Sequence, residues 1–512
     1  MQQPLELPGQ QPPGYSKSSP AGSGAGKSSR ADRGSGKGSM DCSATSGNPY
    51  VELVSCLQAA WLLGKTRPME YRVAQLEALG HFLDEKNILD ALASDMRKPP
   101  FEAEFCEILL CKNEVNDTLN KLGTWMKDEH VEKNVVTQLD SAFICKDLYG
   151  VVLILTPWNC PVHIVLMSLI GAIAAGNCVI VKPSETTKNT ERLVAEALPC
   201  YLDNDCFAVV TAGVEETTKL LENKFDYIFF TGSPSVGRII MTAAAKHLTP
   251  VTLELGGKNP CYVSDNCEVQ NVARRVAWGR FFNAGQTCVA PDYILCSVEM
   301  QEKLMPALRE AITEFYGSNP QESPDFARIV GDKQFRRIRT LLSSGRVAIG
   351  GQTDEQERYI APTVLVDVQP SDPVMQEKIL GPILPIVTAA SVDEAINLIN
   401  TREQPLIVYV FSSDKKVMNQ VLEWTSRGGF CGNDTLMHMT LTSLPFGGID
   451  SSLGKYHSKS TFDTFTHHRS CLHRSMALET TNALCYPPYT QQKLGLVCFA
   501  SEVKRQGTCT LL

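Results

Sequence analysis

The chain has 512 residues, 43% apolar and 20% charged, with a formal net charge of −8. Such length and make-up exclude a peptide scaffold and allow two or three domains around large cores, while the acidic balance excludes the global basic field of a nucleic-acid binder. The 18 cysteines form no Cys-x-x-Cys pair and none joins histidines at zinc-finger spacing, so no metal site and no disulfide framework is expected.

Residues 1–40 are a Gly/Ser-rich extension, as in "SSPAGSGAGKSSRADRGSGKGS", with almost nothing apolar to offset its ordering entropy, and disorder is expected there. Translation could start at Met1 or at Met40. The start "MQQPLELPGQQPPGYSK" lacks the basic end and apolar core of a secretory signal, which predicts reduced thiols in the cytosol. From about Pro49 to His81, apolar residues recur every three or four positions and predict two amphipathic helices. Residues 128–147 alternate around Leu139-Asp140-Ser141, the pattern of a polar-faced hairpin and a candidate oligomerisation arm. Val151 to Val181 contains no charged residue and has the length of a membrane span, but Pro157, Pro161, Gly171 and Gly176 divide it into pieces that suit buried strands and a helix.

Strand and helix patterns then alternate through "YGVVLILTP", "HIVLMSLIGAIAAG", "CVIVKPS", "FAVVTAG" and "YIFFTGS". A second series begins at "PCYVSD" and runs through "PDYILCSV", "PTVLVDV", "PILPIVTA" and "LIVYVFSSD". Two parallel, doubly wound α/β domains are expected, with no internal repeat of fixed period.

Three residues stand where chemistry would gather. Cys288 comes after a predicted helix, Val269–Phe281, and the triplet Gly285-Gln286-Thr287; taken alone it is one small hydrophobe among eighteen cysteines. Glu254 ends an apolar strand before two glycines, where a carboxylate is costly unless it titrates or is paired. Asn159 sits in a loop fixed by Pro157 and Pro161 and could either serve its own turn or donate to a developing oxyanion.

Together with their surroundings these residues resemble the aldehyde dehydrogenase superfamily: "PWN", "VKPSE", "FTGS", "LELGGK", "GQTC", "GPILP" and "LPFGG" occur in the family's order across residues of roughly 50 to 470. The segment "YHSKSTFDTFTHHRS" is similar to the class 3 branch, which handles fatty and aromatic aldehydes. The ending "NALCYPP" with "CTLL" is similar to its prenylated B-type members. The resemblance implies an aldehyde dehydrogenase-like fold with two doubly wound α/β domains and a small β oligomerisation arm. It divides the chain into residues 41–254 (opening helices and NAD(P)-binding domain), 255–440 (catalytic domain), 441–480 (return segment and oligomerisation strand) and 481–512 (tail).

It further implies that Cys288 is the nucleophile, that Asn159 and the Cys288 amide hold the oxyanion, and that Glu254 activates the hydrolytic water. Having that base disfavours transfer of the acyl group to coenzyme A. For the cofactor, NAD with NADP as a second candidate, the implied contacts are Trp158, Lys182, Glu185, Thr231, Gly232, Ser233 and Gly237, the last four leading into a helix N-terminus suited to a pyrophosphate.

Two departures stand out. The family reads Glu-Ile-Phe before Gly-Pro, whereas Lys378 here takes the place of the acid that binds the nicotinamide ribose. A lysine cannot accept those hydrogen bonds and would bring positive charge near the oxidised ring. After "PFGG" the run Ile449-Asp450-Ser451-Ser452-Leu453-Gly454 is one residue shorter than the family pattern and lacks two glycines, so strain is expected in a loop that borders the substrate entrance in relatives.

At the end of the chain, Cys509-Thr510-Leu511-Leu512 fits a geranylgeranylation motif, and Cys498 is a candidate palmitoylation site that could supply the second signal stable anchoring needs. The expected function is NAD(P)-dependent oxidation of medium- to long-chain aldehydes to carboxylic acids by a homodimer. It would be held by its prenyl tail on the cytoplasmic face of the plasma membrane or endoplasmic reticulum, or on lipid droplets. The competing expectation is a catalytically weakened homologue retained as a membrane-associated binding or scaffold protein.

Overall fold

The computed structural model describes residues 47–449 and 452–503. The Gly/Ser-rich extension, Met40, Asp450 and Ser451 from the run where strain is expected, and the terminal Cys509 lie outside the described residues. Helical periodicity after Pro49 produces Val51–Leu62 and Met69–Phe82, which bury Leu57, Leu76, Leu79 and Phe82. From the second of these, Arg72 donates to the carbonyl of Ala174, an acceptor left over at the end of the helix His163–Ala174.

The expected hairpin forms only in part. Strand β1 (Glu129–His130) pairs antiparallel with β2 (Ser141–Leu148) over two residues, with a 3-10 turn at Val135–Thr137 between them. The other edge of β2 is covered along its full length by Thr466–His473, from the far end of the chain. Local alternation in the sequence revealed the strand but not this distant partner.

The uncharged run Val151–Val181 folds as strand, helix and strand, each piece buried. Among the described residues no helix is long and apolar enough to cross a membrane. The strands β3 (Val151–Leu155), β4 (Cys178–Lys182), β5 (Phe207–Val209), β6 (Tyr227–Gly232) and β7 (Val251–Leu255) are parallel, in the order β7-β6-β3-β4-β5. The winding reverses between β3 and β6, which opens a crevice beyond their carboxyl ends.

The second sheet is built from β8 (Pro260–Val263), β9 (Tyr293–Cys296), β10 (Arg346–Ile349), then, after a ribbon of β11 (Thr353–Asp354) and β12 (Tyr359–Ile360), β13 (Thr363–Val366), β14 (Ile383–Thr388), β15 (Ile407–Phe411) and β16 (Gly429–Gly432). Its order is β10-β13-β14-β9-β8-β15-β16. The chain then returns to the first sheet, where β17 (Phe446–Gly448) and β18 (Ser452–Tyr456) add antiparallel strands on β7, with Ser452 opposite Glu254. Both sheets are therefore mixed, since β10 is also antiparallel to its neighbour. Among the described residues from Phe446 to Gly454 the positive φ angles fall on Gly447 and Gly454, which accept them without a Cβ penalty.

Candidate active site

The helix Val269–Phe281 has the predicted bounds, and the turn at its carboxyl end decides where Cys288 stands. Asn283, Ala284 and Gly285 take φ of 54, 51 and 74°, three left-handed residues in a row that reverse the chain. A Cβ on Gly285 would collide with the carbonyl of Gly381, which explains the glycine. Gln286 is fully buried and anchors the loop: its amide donates to Asn283 O (3.1 Å) and Arg328 O (2.9 Å), and its oxygen accepts from Val330 N at 3.0 Å. Cys288 emerges partly exposed at the end of this anchored turn.

Beneath it lies a charged cluster that sequence reading missed. Arg280 and Asp292 are both fully buried and joined at 2.9 Å, and Lys258 meets the other carboxylate oxygen at 3.0 Å. Burial pushes the Asp292 carboxyl up, but Lys258, Lys378 and Arg280 together hold it well below the usual range. Burial also lowers Lys258 to about 8, against the pull of Asp292. Asn259, the next residue, donates to the carbonyls of Cys288 (2.9 Å) and Ala290 (3.0 Å). Lys258 and Asn259 stand in the same "GGKNP" stretch as the expected base, and that company was the available signal.

Lys378 is the largest surprise. Its Nζ donates to Cys288 O at 2.5 Å and to Gly257 O at 2.8 Å, so the lysine is tied to the main chain of the cysteine. Its neighbour Glu377 pairs with Arg337 at 3.3 Å. Burial pushes the Cys288 thiol up; Lys378 opposes that shift and Glu254 adds to it.

Glu254, near the end of β7, is 3% exposed, and neither carboxylate oxygen has a hydrogen-bond partner among the described residues. Burial raises it well above the ordinary carboxyl range, against the Ser452 hydroxyl opposite it, which favours the charged form. The two glycines that follow it divide their roles: Gly257 lets the backbone of Leu406 approach, whereas the stem of Lys378 passes beside Gly256. Asn159 is buried, and its side-chain amide has only a weak 3.9 Å contact with Cys160 Sγ, so it is available to an incoming acceptor.

One cavity of 1090 Å³ joins these groups. Asn159, Glu254, Cys288 and Lys378 line it, and so do Trp158, Thr231, Gly232 and Ser233 from the crevice between β3 and β6. Ser233 caps the helix Pro234–Ala245, accepting from Val236 N at 3.4 Å, and no carboxylate occupies that helix's first turn. Thr231 Oγ1 is buried without a partner among the described residues. An orphaned hydroxyl beside a helix N-terminus that carries no acidic side chain fits a dinucleotide pyrophosphate. Gly237 does not line the cavity; its missing Cβ makes room for Leu255, seating the helix on β7. Lys182 and Glu185 pair with each other at the carboxyl end of β4, outside the cavity lining but on the same edge of the sheet. Cys498 is exposed on the helix Gln491–Ser501, far along the chain from this cluster.

A family model described as "Aldehyde dehydrogenase family" matches residues 53–471. The chain is similar to aldehyde dehydrogenase family 3 member B1 of Homo sapiens, at 60% identity over 469 residues, 91% of this chain and 100% of the relative. Among solved structures it is similar to Staphylococcus aureus AldH in a substrate-bound state, with a TM-score of 0.84 and 41% identity over 87% of this chain and 98% of that one. It is also similar to an NAD-dependent aldehyde dehydrogenase from Sinorhizobium meliloti, with a TM-score of 0.75 and 25% identity over 82% and 85% of the two chains.

Proposed function

Because the chain belongs to the aldehyde dehydrogenase family, we propose that this NAD(P)-using enzyme oxidises medium- to long-chain, lipid-derived aldehydes to carboxylic acids at a membrane or lipid-droplet surface. The observation that carries the chemistry is the meeting of Asn159, Glu254 and Cys288, from three distant segments, on one cavity.

In this reading Cys288 Sγ adds to the aldehyde carbon, and the oxygen's growing charge is met by the Asn159 amide and the Cys288 N–H; losing one such donor costs about 2.7–4 kcal/mol. NAD(P), held by Trp158, Thr231, Gly232, Ser233 and the helix they lead into, with the Lys182–Glu185 pair at the adenine ribose, supplies the hydride acceptor when bound. Glu254 then draws a proton from water, which attacks the thioester and frees the acid and the thiol. Its burial without partners supports that role, because a carboxylate so placed gains by taking a proton.

The anchoring half of the reading rests on Cys509 with the Thr510-Leu511-Leu512 ending, and on Cys498 exposed on the last helix beside exposed Leu494 and Leu496. A homodimer is supported by the three-stranded sheet, whose strand Thr466–His473 leaves its outer edge unpaired among the described residues. The scaffold reading is not favoured, since the catalytic groups stand together within an enzyme family.

The test is NAD(P)H production from long-chain aldehydes by wild type, Cys288→Ala and Lys378→Glu. Turnover by wild type and none by Cys288→Ala is the expected result. A wild type as inactive as Cys288→Ala, with turnover gained in Lys378→Glu, would show that the lysine has silenced the site.

A further inference from the structure

We propose that Lys378 is a covalent capture site for aldehydes, condensing with a carbonyl in the cavity to form an imine beside Cys288. The proposal rests on the reading of the cavity as an aldehyde site.

The geometry of Nζ supports it. This nitrogen donates to two acceptors, the carbonyls of Cys288 and Gly257. A neutral amine has two N–H groups, enough for both carbonyls, and keeps a lone pair; an ammonium has a third proton to place. The side chain lines the same cavity as Cys288, and its Nζ is bonded to the main-chain carbonyl of that residue, which places the amine beside the nucleophile.

Burial favours the neutral form of Lys378, and the charged groups around it oppose that only in part. Asp292, which would hold a proton on it, is already engaged by Arg280 and Lys258. Glu377, next in sequence, is turned to Arg337. Burial lowers the ammonium's pKa and Arg280 lowers it further, against the weaker pull of Asp292 and Cys288. Lys258 lines the cavity too, but its Nζ is held in an ion pair with Asp292.

The step balances without an oxidant. The Nζ lone pair adds to the carbonyl carbon, a proton moves from nitrogen to oxygen, and the carbinolamine loses water to leave a C=N bond. Hydrolysis returns the aldehyde to the cavity, where Cys288 can take it.

The test treats wild type, Cys288→Ser and Lys378→Arg with hexanal and sodium cyanoborohydride, without nucleotide, and maps the reductively alkylated lysines by peptide mass. Lys378 should gain one hexyl group in wild type and in Cys288→Ser severalfold faster than the exposed Lys224, because the buried amine is neutral more of the time. Alkylation in the cavity should vanish in Lys378→Arg. Alkylation of surface lysines with Lys378 untouched, or of Lys258 in its place, would overturn the proposal. NAD(P)H production from hexanal is followed on the same preparations. Capture without NAD(P)H would sink the dehydrogenase reading alone, and NAD(P)H without capture would sink this proposal alone.

Discussion

Asn283 donates its side-chain amide to the main-chain carbonyl of Asn159 at 2.9 Å, so the turn that presents the nucleophile is fastened to the loop that presents the oxyanion donor. The Asn159 loop leaves β3 of the first sheet and the Asn283 turn leads from a helix towards β9 of the second, and this bond joins them. Replacing Asn283 with Ala removes it and a second bond to Gln286 O, each worth about 1 kcal/mol. The expected outcome is a fall in kcat of roughly tenfold with little change in the KM for nucleotide. Steady-state kinetics check it; a raised nucleotide KM with unchanged kcat would show that the bond does not position the reacting groups.

Glu254→Gln should separate the two halves of the reaction. With the base gone, aldehyde oxidation proceeds once and the thioester persists, so stopped flow should record a burst of NAD(P)H followed by very slow turnover. Absence of a burst would mean that Glu254 is already needed before hydride leaves.

The same carboxyl predicts a pH dependence. Its folded pKa is raised by burial, so its contribution to stability is fully present below the unfolded value and is lost as pH rises through the folded one. Glu254→Gln should therefore raise the melting temperature of the protein more at pH 8 than at pH 5. Wild-type kcat should rise with pH over the interval in which Glu254 loses its proton. Identical stability profiles for the two proteins would contradict the assignment.

A buried pair holds the other side of the site. Lys98 and Glu107 are joined at 2.6 Å with neither side chain accessible, and the second oxygen of Glu107 accepts from Val162 N (3.1 Å) and His163 N (2.7 Å) at the start of the helix after Asn159. Lys98→Met leaves that carboxylate unpaired, and a loss of about 3–5 kcal/mol is expected in urea unfolding. A change below about 1 kcal/mol would mean that the helix amides alone satisfy it.

Cys509→Ser should move the protein from the membrane to the soluble fraction while activity on soluble aldehydes stays the same. Fractionation with an activity assay decides, and persistent membrane binding would refute the prenyl anchor.

Sequence periodicity was a good guide wherever the cause of structure is local. The parallel strands β3 to β9 and β13 to β15 come from apolar runs and the bounds of Val269–Phe281 from its periodicity, whereas β10, β16, β17 and β18 went unread; Asn159, Glu254 and Cys288 were recognisable from the short motifs around them. The features that escaped depend on contacts across the chain. Arg280 reads as an ordinary charge near the end of a helix until the fold brings Asp292 to it, and Asn283 reads as a loop residue until Asn159 arrives. Lys378 was visible as a departure, but its hold on the carbonyl of Cys288 could not be read from its position. Thr466–His473 likewise showed no sign of its partnership with β2.

The return of β18 to β7 has a consequence for biosynthesis. Glu254 lies in a strand whose outer neighbour, tied at Leu255 N to Ser452 Oγ, is separated from it by 197 residues. On the ribosome that strand emerges with one flank open, and it remains so while the whole second sheet is made. The apolar edge next to the future base is thus the region that a nascent-chain chaperone would need to shield. A transcript truncated before Ser452 should yield a protein that aggregates through this edge, even though all three reacting side chains have already been translated.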